Sequence, residues 1–383
     1  MPRTLGLYLH IPFCVRKCNY CDFCSAAASA NARAAYVDAL CAHLTASAPL
    51  ARDRVVDTVY LGGGTPTILK DAELTRILDT VRAYYALTKD VEITTECNPV
   101  TGRDGLFDAL VHAGVNRLSI GVQSMHENEL SLLGRAHTFD DFLATFDAAR
   151  RAGLSNVSAD VMFGIPAQTI RSLEETLETL ASLPLSHLSA YGLRIEEGTP
   201  FDRMRDTLPF PHEDEEADMA ELVPILLEKH GFSRYEISNY ARNGAYSRHN
   251  MRYWLGEEYL GFGPAAHSYF DGVRYATPEN TKHYVDAVRE GAFDVLRTDC
   301  HALGAHEARE EYVMLRMRLS QGIDKQEFAT RFGLSFERAY GDLSSLCERG
   351  LLTNTNERVA LTARGMQVSN AILSDWLDFN EGE

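Results

Sequence analysis

The sequence predicts an α/β fold built on a partial, TIM-like (β/α)6 barrel, in which helices cover the outer face of a curved, open sheet. Six short β-rich runs recur along the first half of the chain, and amphipathic segments separate several of them. This repetition implies parallel strands joined by right-handed crossovers, and six units are fewer than the eight of a closed barrel. The six runs are residues 5–10, 55–61, 91–96, 116–121, 157–163 and 187–193.

Two of the intervening segments show the i, i+3, i+4 spacing of a helix with one apolar face. Their apolar residues are Tyr36, Val37, Leu40, Cys41 and Leu44 in the first, and Phe139, Phe142, Leu143 and Phe146 in the second. Short motifs follow the strands, namely a cysteine cluster after the first and "GGGTP", "ECNP", "GVQS" and "FGIP" after the next four. Because the carboxyl ends of parallel strands share one rim, we expect a single large site there.

The pattern changes after about residue 200, which predicts three parts: a barrel core (1–200), an extension with added strands and loops (201–300) and a C-terminal winged-helix-like domain (301–383). In the extension, "HEDEEADMAELVPILLEKHGF" predicts a helix that ends at Gly231. From about Ala305 the chain predicts three helices and a short β pair. Nine Lys and Arg against thirteen Asp and Glu in residues 300–383 favour a packing or partner-recognition role over DNA binding.

The composition, 45% hydrophobic and 24% charged, is typical of a soluble globular protein, and the formal net charge is -17. Such an acidic chain is not expected to bind nucleic acid or an anionic membrane. No apolar run is long enough to span a membrane and "MPRTLGLYLH" is not a signal peptide, so we predict a cytoplasmic protein. The four scattered cysteines are predicted to be small buried residues: Cys41, Cys97, Cys300 and Cys347.

Four cysteines lie within eleven residues of "YLHIPFCVRKCNYCDFCS", and three of them, Cys14, Cys18 and Cys21, have the spacing C-x3-C-x2-C. In a reducing compartment such a cluster is more typical of metal binding than of disulfides. Structural zinc usually needs a second, separated pair of ligands, and no further C-x2-C occurs elsewhere in the chain. Three thiolates on one loop can instead hold three irons of a [4Fe–4S] cluster, which leaves the fourth iron without a protein ligand.

This cysteine spacing resembles that of the radical SAM superfamily, in which the open iron takes the amine and carboxylate of S-adenosylmethionine (SAM). The run Gly62, Gly63, Gly64 and Thr65 resembles the motif that meets the methionine amine in that superfamily. The resemblance narrows to the subfamily of oxygen-independent coproporphyrinogen III oxidases and HemW-type haem chaperones, through "YLHIPFC", "LGRAH", "DVMFGIP", "EEGTP" and "YEISNYA". It implies that the SAM site is lined by Tyr8, Glu96, Gln123, Arg135 and Asp160.

Two features distinguish the members of this subfamily. The oxidases carry a further cysteine two residues after the third ligand, whereas this chain has Phe23 there, as in the HemW type. Cys24 is displaced by one position and is interpreted as a thiol that does not bind the cluster. The motif "HNMRYW" resembles the H-N-x-x-Y-W of HemW-type proteins, which implies haem binding with His249 as the candidate ligand, beside Tyr253 and Trp254.

The leading hypothesis is therefore a haem-binding chaperone that carries a [4Fe–4S] cluster and SAM and transfers haem to an acceptor protein. A flavodoxin-like reductant is the expected electron donor. The alternative is an enzyme, an oxygen-independent coproporphyrinogen III oxidase that decarboxylates propionates; an intact SAM site favours it, while Phe23 and "HNMRYW" favour the chaperone. His10, two residues from Tyr8, is expected on the same strand face, where it either orients a ligand or packs.

Overall fold

The six predicted strands form the centre of one large curved sheet. A computed structural model describes residues 3–103 and 105–377, and within them a 12-stranded sheet has the order β12-β11-β10-β9-β1-β2-β3-β4-β5-β6-β8-β7. The first six strands in chain order, β1 to β6, run parallel, and each lies beside the next. They are β1 (Arg3–Ile11), β2 (Arg54–Gly63), β3 (Leu87–Cys97), β4 (Arg117–Gln123), β5 (Asn156–Phe163) and β6 (His187–Gly192). The predicted partial (β/α)6 barrel is confirmed.

Helices cover the outer face of these strands and leave the inner face for the site. They are α1 (Ala30–Ser47), α2 (Asp71–Tyr84), α3 (Leu106–His112), α4 (Glu127–Leu132), α5 (Phe139–Arg151) and α6 (Ile170–Ser182). Alternation along β1 buries Leu5, Leu7 and Leu9 in the core that these helices share, so Tyr8 projects to the other face, toward the barrel interior. No helix in the described residues is long and apolar enough to cross a membrane.

The predicted extension adds strands to both edges of the six-stranded core. β9 pairs parallel to β1, and β8 pairs antiparallel to β6. The long acidic helix is present and ends two residues before Gly231. The elements are α7 (Pro200–Arg203), α8 (Glu213–Lys229), β7 (Ser233–Arg234), β8 (Asn239–Ala241), α9 (Arg248–Leu255), β9 (Tyr259–Phe262), β10 (His267–Phe270), β11 (Val273–Ala276), α10 (Thr281–Arg289) and β12 (Thr298–Ala302).

The C-terminal part has a hydrophobic core of its own, which includes Val313, Phe328 and Phe336. The predicted third helix is two short helices, because the chain turns at Gly341 with a φ of 75°. The segment predicted as a β pair contributes one strand and then returns to helix at the cap residue Thr362. The elements are α11 (Ala305–Arg316), β13 (Ile323–Asp324), α12 (Lys325–Phe332), α13 (Phe336–Tyr340), α14 (Ser344–Glu348), β14 (Leu352–Asn354), β15 (Arg358–Leu361), α15 (Ala363–Gln367) and α16 (Ser369–Trp376).

The prediction that all four scattered cysteines are buried is wrong for two of them. Cys41 and Cys97 lie in the main core. Cys300 is exposed and Cys347 is half-buried. The reason for Cys300 is topological, because β12 is the edge strand of the large sheet and four of its five residues face solvent.

Candidate functional site

The three spaced cysteines lie on the loop between β1 and α1, at the carboxyl end of the first barrel strand. Backbone bonds close the base of this loop, from Cys14 N to Ala26 O (3.1 Å) and from Ala26 N to Pro12 O (3.0 Å). Arg16 ties the loop to the turn after α4, since its guanidinium donates to the carbonyls of Gly134 and Arg135, each at 2.7 Å. The thiols of Cys14, Cys18 and Cys21 are free and half-buried. The loop is thus held against the rim at which the other motifs end.

The surroundings of the three thiols fit an iron–sulfur cluster. Cys14 Sγ lies 3.6 Å from Thr65 Oγ1, and Arg135 Nη1 lies 3.6 Å from Cys18 Sγ. Hydroxyl and guanidinium donors at cluster sulfurs stabilise thiolate charge. Burial raises the pKa of the Cys21 thiol to about 11, so ligation has to displace its proton. In the described part of the chain no three His, Cys, Asp or Glu side chains converge closely enough to hold a single metal ion.

Cys24 is oriented away from this group of thiols. Its thiol donates to the carbonyl of Glu279, 3.1 Å away, in the loop before α10. Its own carbonyl accepts a bond of 2.8 Å from His10 Nε2. Since Nε2 carries the proton in that bond, Nδ1 of neutral His10 accepts from the Tyr8 hydroxyl at 3.0 Å. His10 and Tyr8 therefore share one strand face, and both lie beside the cysteine loop.

The glycine run after β2 allows two segments to approach closely. Gly63 has a φ of 101°, and a Cβ at this position would collide with the His10 ring. A Cβ on Gly64 would lie 2.6 Å from the carbonyl oxygen of Phe13. The run consequently packs directly against the start of the cysteine loop, where the amides of Gly64 and Thr65 donate to the carbonyls of Ile11 (2.9 Å) and Phe13 (2.7 Å).

Glu96, at the end of β3, is a buried carboxyl group held by two donors. Its Oε1 accepts from the Tyr60 hydroxyl at 2.8 Å, and its Oε2 accepts from Gly63 N at 3.1 Å. Burial raises its pKa to about 7. A carboxyl group that titrates near neutrality beside a glycine turn is a typical acceptor for a ligand amine or hydroxyl. Tyr60 was not among the predicted site residues, although its β2 position two residues before the glycine run was a usable signal.

Asp160, Gln123 and Arg135 complete this rim. Both carboxylate oxygens of Asp160 accept from the Ser119 hydroxyl at 3.1 Å, and burial raises its pKa. Gln123 is a buried non-glycine residue with a φ of 67°, and the register of β4 against β5 shifts beside it. Such a conformation is uncommon and concentrates at functional sites. Arg135 Nη2 donates to Gly121 O at 2.6 Å, whereas its buried Nε has no partner among the described residues.

These rim groups fit the polar parts of S-adenosylmethionine. Glu96 and Asp160 supply acceptors for hydroxyl or amine protons, and the unpaired Nε of Arg135 supplies a donor for a carboxylate. Arg117 was missed by sequence reasoning. It is 2% exposed, lies within electrostatic range of both carboxyl groups, and has a buried Nε without a partner. Its place at the start of a β-rich run carried no signal that it points inward.

His249 lies inside the barrel, one layer below the rim. It is completely buried, with Nδ1 bonded to Thr58 Oγ1 and Nε2 bonded to the Tyr253 hydroxyl, each at 2.9 Å. Its backbone N–H donates to Glu92 Oε1 at 3.1 Å. Burial lowers the pKa of the imidazole to about 3. Neither ring nitrogen is free in this structure, so ligation of a haem iron by His249 requires the release of one of these bonds.

The rest of the "HNMRYW" motif connects the barrel to the C-terminal part. Tyr253 makes an edge contact with Tyr259, with centroids 4.7 Å apart. Trp254 lies under the guanidinium of Arg318, which is 4.4 Å from its ring centroid. The start of α9 therefore packs in the barrel, and its end packs against the residues that follow α11.

The open α/β barrel, the three-cysteine loop and the glycine run beneath it define a radical SAM protein. The radical SAM superfamily pattern matches residues 8–180, and the HemN C-terminal domain pattern matches residues 303–368. The chain is 36% identical to "Heme chaperone HemW" of Bacillus subtilis over 97% of its own length and 98% of that protein. It is 34% identical to the Escherichia coli protein of the same name, over 97% and 98%. The chain belongs to the HemW family.

A solved structure supports the fold. The Escherichia coli coproporphyrinogen III oxidase HemN, a radical SAM enzyme, superimposes with a TM-score of 0.86 over 98% of this chain and 90% of its own, at 24% identity. The suspected family and the fold class are thus confirmed. Membership implies a [4Fe–4S] cluster and S-adenosylmethionine as cofactors.

Proposed function

We propose that this protein is a haem chaperone, which binds haem and transfers it to an acceptor protein. The observation that carries the proposal is the similarity to proteins named "Heme chaperone HemW" along 97% of the chain. A local feature agrees with it: the position at which the oxidases have a further cysteine is occupied by Phe23, which is 64% exposed. The neighbouring Cys24 is engaged with Glu279 and does not replace that cysteine.

We further propose that Cys14, Cys18 and Cys21 hold the cluster and that the rim holds SAM. When bound, a reduced [4Fe–4S] cluster supplies an electron to the sulfonium of SAM. In this chain, Glu96 and Asp160 accept ligand protons and Arg135 donates toward a carboxylate. Thr65 and Arg135 donate toward thiolates at the loop. A flavodoxin-like reductant and a haem-acceptor protein are the proposed partners.

The second candidate function is coproporphyrinogen III oxidation, and the assembled rim favours it. Glu96 is already oriented by Tyr60 and Gly63 at the end of β3. A carrier without turnover does not need a site that is prepared in this way. In the chaperone, however, SAM and the cluster can act as ligands that favour one conformation of the protein over another.

The test is a titration of the anaerobically reconstituted full chain with haem, followed by the Soret band. Stoichiometric haem binding, together with transfer to an apo haem protein faster than from free haem in buffer, supports the chaperone. In parallel, the same preparation is reduced with dithionite and supplied with SAM and coproporphyrinogen III. Decarboxylated product without stoichiometric haem binding would replace the chaperone proposal with the oxidase.

A further inference from the structure

A large open groove lies between the barrel edge, α8 and the C-terminal part. The carboxyl ends of β5 and β6 form one wall, the first half of α8 forms a second, and the start of α16 forms a third. Its volume of about 640 Å³ is within the range of sites that bury cofactor-sized molecules. We call it the α8 groove; the lining residues used below are Phe163, Tyr191, Arg194, Glu216, Arg318 and Val368.

Exposed apolar side chains lie on two walls of the α8 groove. Tyr191 at the end of β6 is 39% exposed, and Val368 before α16 is 42% exposed. The Phe163 ring lies against Gly192, where a Cβ would come within 3.2 Å of it. Aromatic and aliphatic walls around an open space suit a flat apolar ligand, because its faces remove this surface from water.

Two cations in the groove lack full partners. Arg194 is exposed and makes no hydrogen bond or ion pair with any residue that the structure describes. Arg318 has a buried Nε without a partner, and its nearest carboxylate, that of Glu236, is 3.8 Å away. Burial lowers the pKa of Arg318; the charge of Glu236 opposes this effect, and the charge of Arg194 adds to it. Two incompletely neutralised guanidinium groups in a chain of net charge -17 indicate a site for carboxylates.

Resting on the proposed function, we propose that the α8 groove is the haem site, with the propionates at Arg194 and Arg318 and the macrocycle between Tyr191 and Val368. The Arg318 guanidinium also lies over Trp254. The "HNMRYW" helix therefore reaches the groove through Trp254 and Arg318, whereas His249 stays in the barrel interior. This arrangement connects the motif to haem without a histidine–iron bond.

Glu216 offers a further test, because removing its charge should change haem affinity in the opposite direction from removing the charge of Arg194. Glu216 lies in the groove within electrostatic range of Arg194, and burial raises its pKa. As a carboxylate it repels the propionates and competes for Arg194. We therefore expect E216Q to bind haem about threefold more tightly, while R194Q binds it about tenfold more weakly.

The experiment titrates the reconstituted full chain and its variants with haem, and with haem dimethyl ester, in which the propionates carry no charge. We expect R194Q, R318Q and the groove-filling A220W each to weaken haem binding about tenfold, and the ester, which lacks both carboxylate charges, to bind the wild type more weakly than haem binds R194Q. R349Q is the control, because Arg349 is an exposed arginine of the C-terminal part without an ion pair in the described residues and lies outside the groove. Thermal unfolding is measured for every variant.

The outcomes separate this proposal from the proposed function. Stoichiometric haem binding by the wild type, with unchanged affinity in both R194Q and A220W, would overturn the groove and leave the chaperone standing. Failure of the wild type to bind haem would overturn both. Equal affinity for haem and its dimethyl ester would contradict the proposed propionate contacts and the orientation of haem that rests on them.

Discussion

His249 lies beneath Tyr60, with ring centroids 5.3 Å apart, and the Tyr60 hydroxyl donates to Glu96 on the rim at 2.8 Å. A continuous set of contacts therefore runs from the "HNMRYW" helix, through the barrel interior, to Glu96 at the proposed SAM site. The last turn of the same helix places Trp254 under Arg318 of the C-terminal part. The motif is thus positioned to link the proposed SAM site to the α8 groove.

Substitution of His249 is expected to damage the barrel interior more than haem binding. H249A removes a buried ring and leaves the hydroxyls of Thr58 and Tyr253 without their partner, which costs about 3 kcal/mol of unfolding free energy. Urea unfolding measures this loss, and a Soret titration below the transition measures haem binding, which we expect to stay stoichiometric. H267A, at an exposed histidine on β10, is the control. Unchanged stability together with a lost Soret shift would instead identify His249 as the iron ligand.

The three spaced cysteines and Cys24 are expected to behave differently. C14A, C18A and C21A each remove one proposed cluster ligand, and we expect each to lose nearly all of the iron and sulfide after anaerobic reconstitution. C24A removes only a bond to the Glu279 carbonyl and is expected to keep both. Iron and sulfide analysis with the visible absorption of the cluster checks this. A loss of cluster in C24A comparable to that in C18A would show that Cys24 is a fourth ligand.

The glycine run permits a comparison of two equally strained positions. Gly63 and Gly153 have φ values of 101° and 97°, but a Cβ on Gly63 would strike the His10 ring, whereas nothing lies within 4 Å of a Cβ on Gly153. We expect G153A to cost only backbone strain, on the order of 1 kcal/mol. G63A should add displacement of the cysteine loop and weaken SAM binding by more than tenfold. Calorimetric titration measures the affinity of each variant for SAM. Equal SAM affinity in G63A and G153A would contradict the proposed contact between the glycine run and SAM.

Glu96 is expected to make the stability of the chain without cofactors depend on pH. Its pKa is about 7 in the folded state because burial disfavours the charge, against an ordinary value of 4.5. The folded state therefore holds the proton more tightly, so stability falls as pH rises from about 4.5 to about 7, by up to about 3 kcal/mol. E96Q should lack this decrease. Urea unfolding at pH 5.5 and pH 8 compares it with wild type and with E348Q, an exposed control; parallel curves for wild type and E96Q would refute the assignment.

The parts of the fold that could be predicted are those that depend on local sequence patterns. Each of the six barrel strands matches a predicted β-rich run, and the motifs after the first five strands lie at the carboxyl rim of the sheet. The C-terminal helices were harder to delimit, because a single turn at Gly341 divides a helix whose apolar spacing continues through it. Cys300 was misjudged because its exposure depends on β12 being an edge strand.

The sequence by itself determined the glycine run and the family, and it predicted the three cluster cysteines, because these features lie within short segments whose spacing is itself the chemical requirement. Only the tertiary structure decided the environment of His249, which bonds Thr58 from 191 residues away. The partial pairing of Arg318 and the inward direction of Arg117 were likewise decided only by the tertiary structure. A side chain's burial and partners are set by the closure of the sheet around it, and no local pattern contains that information.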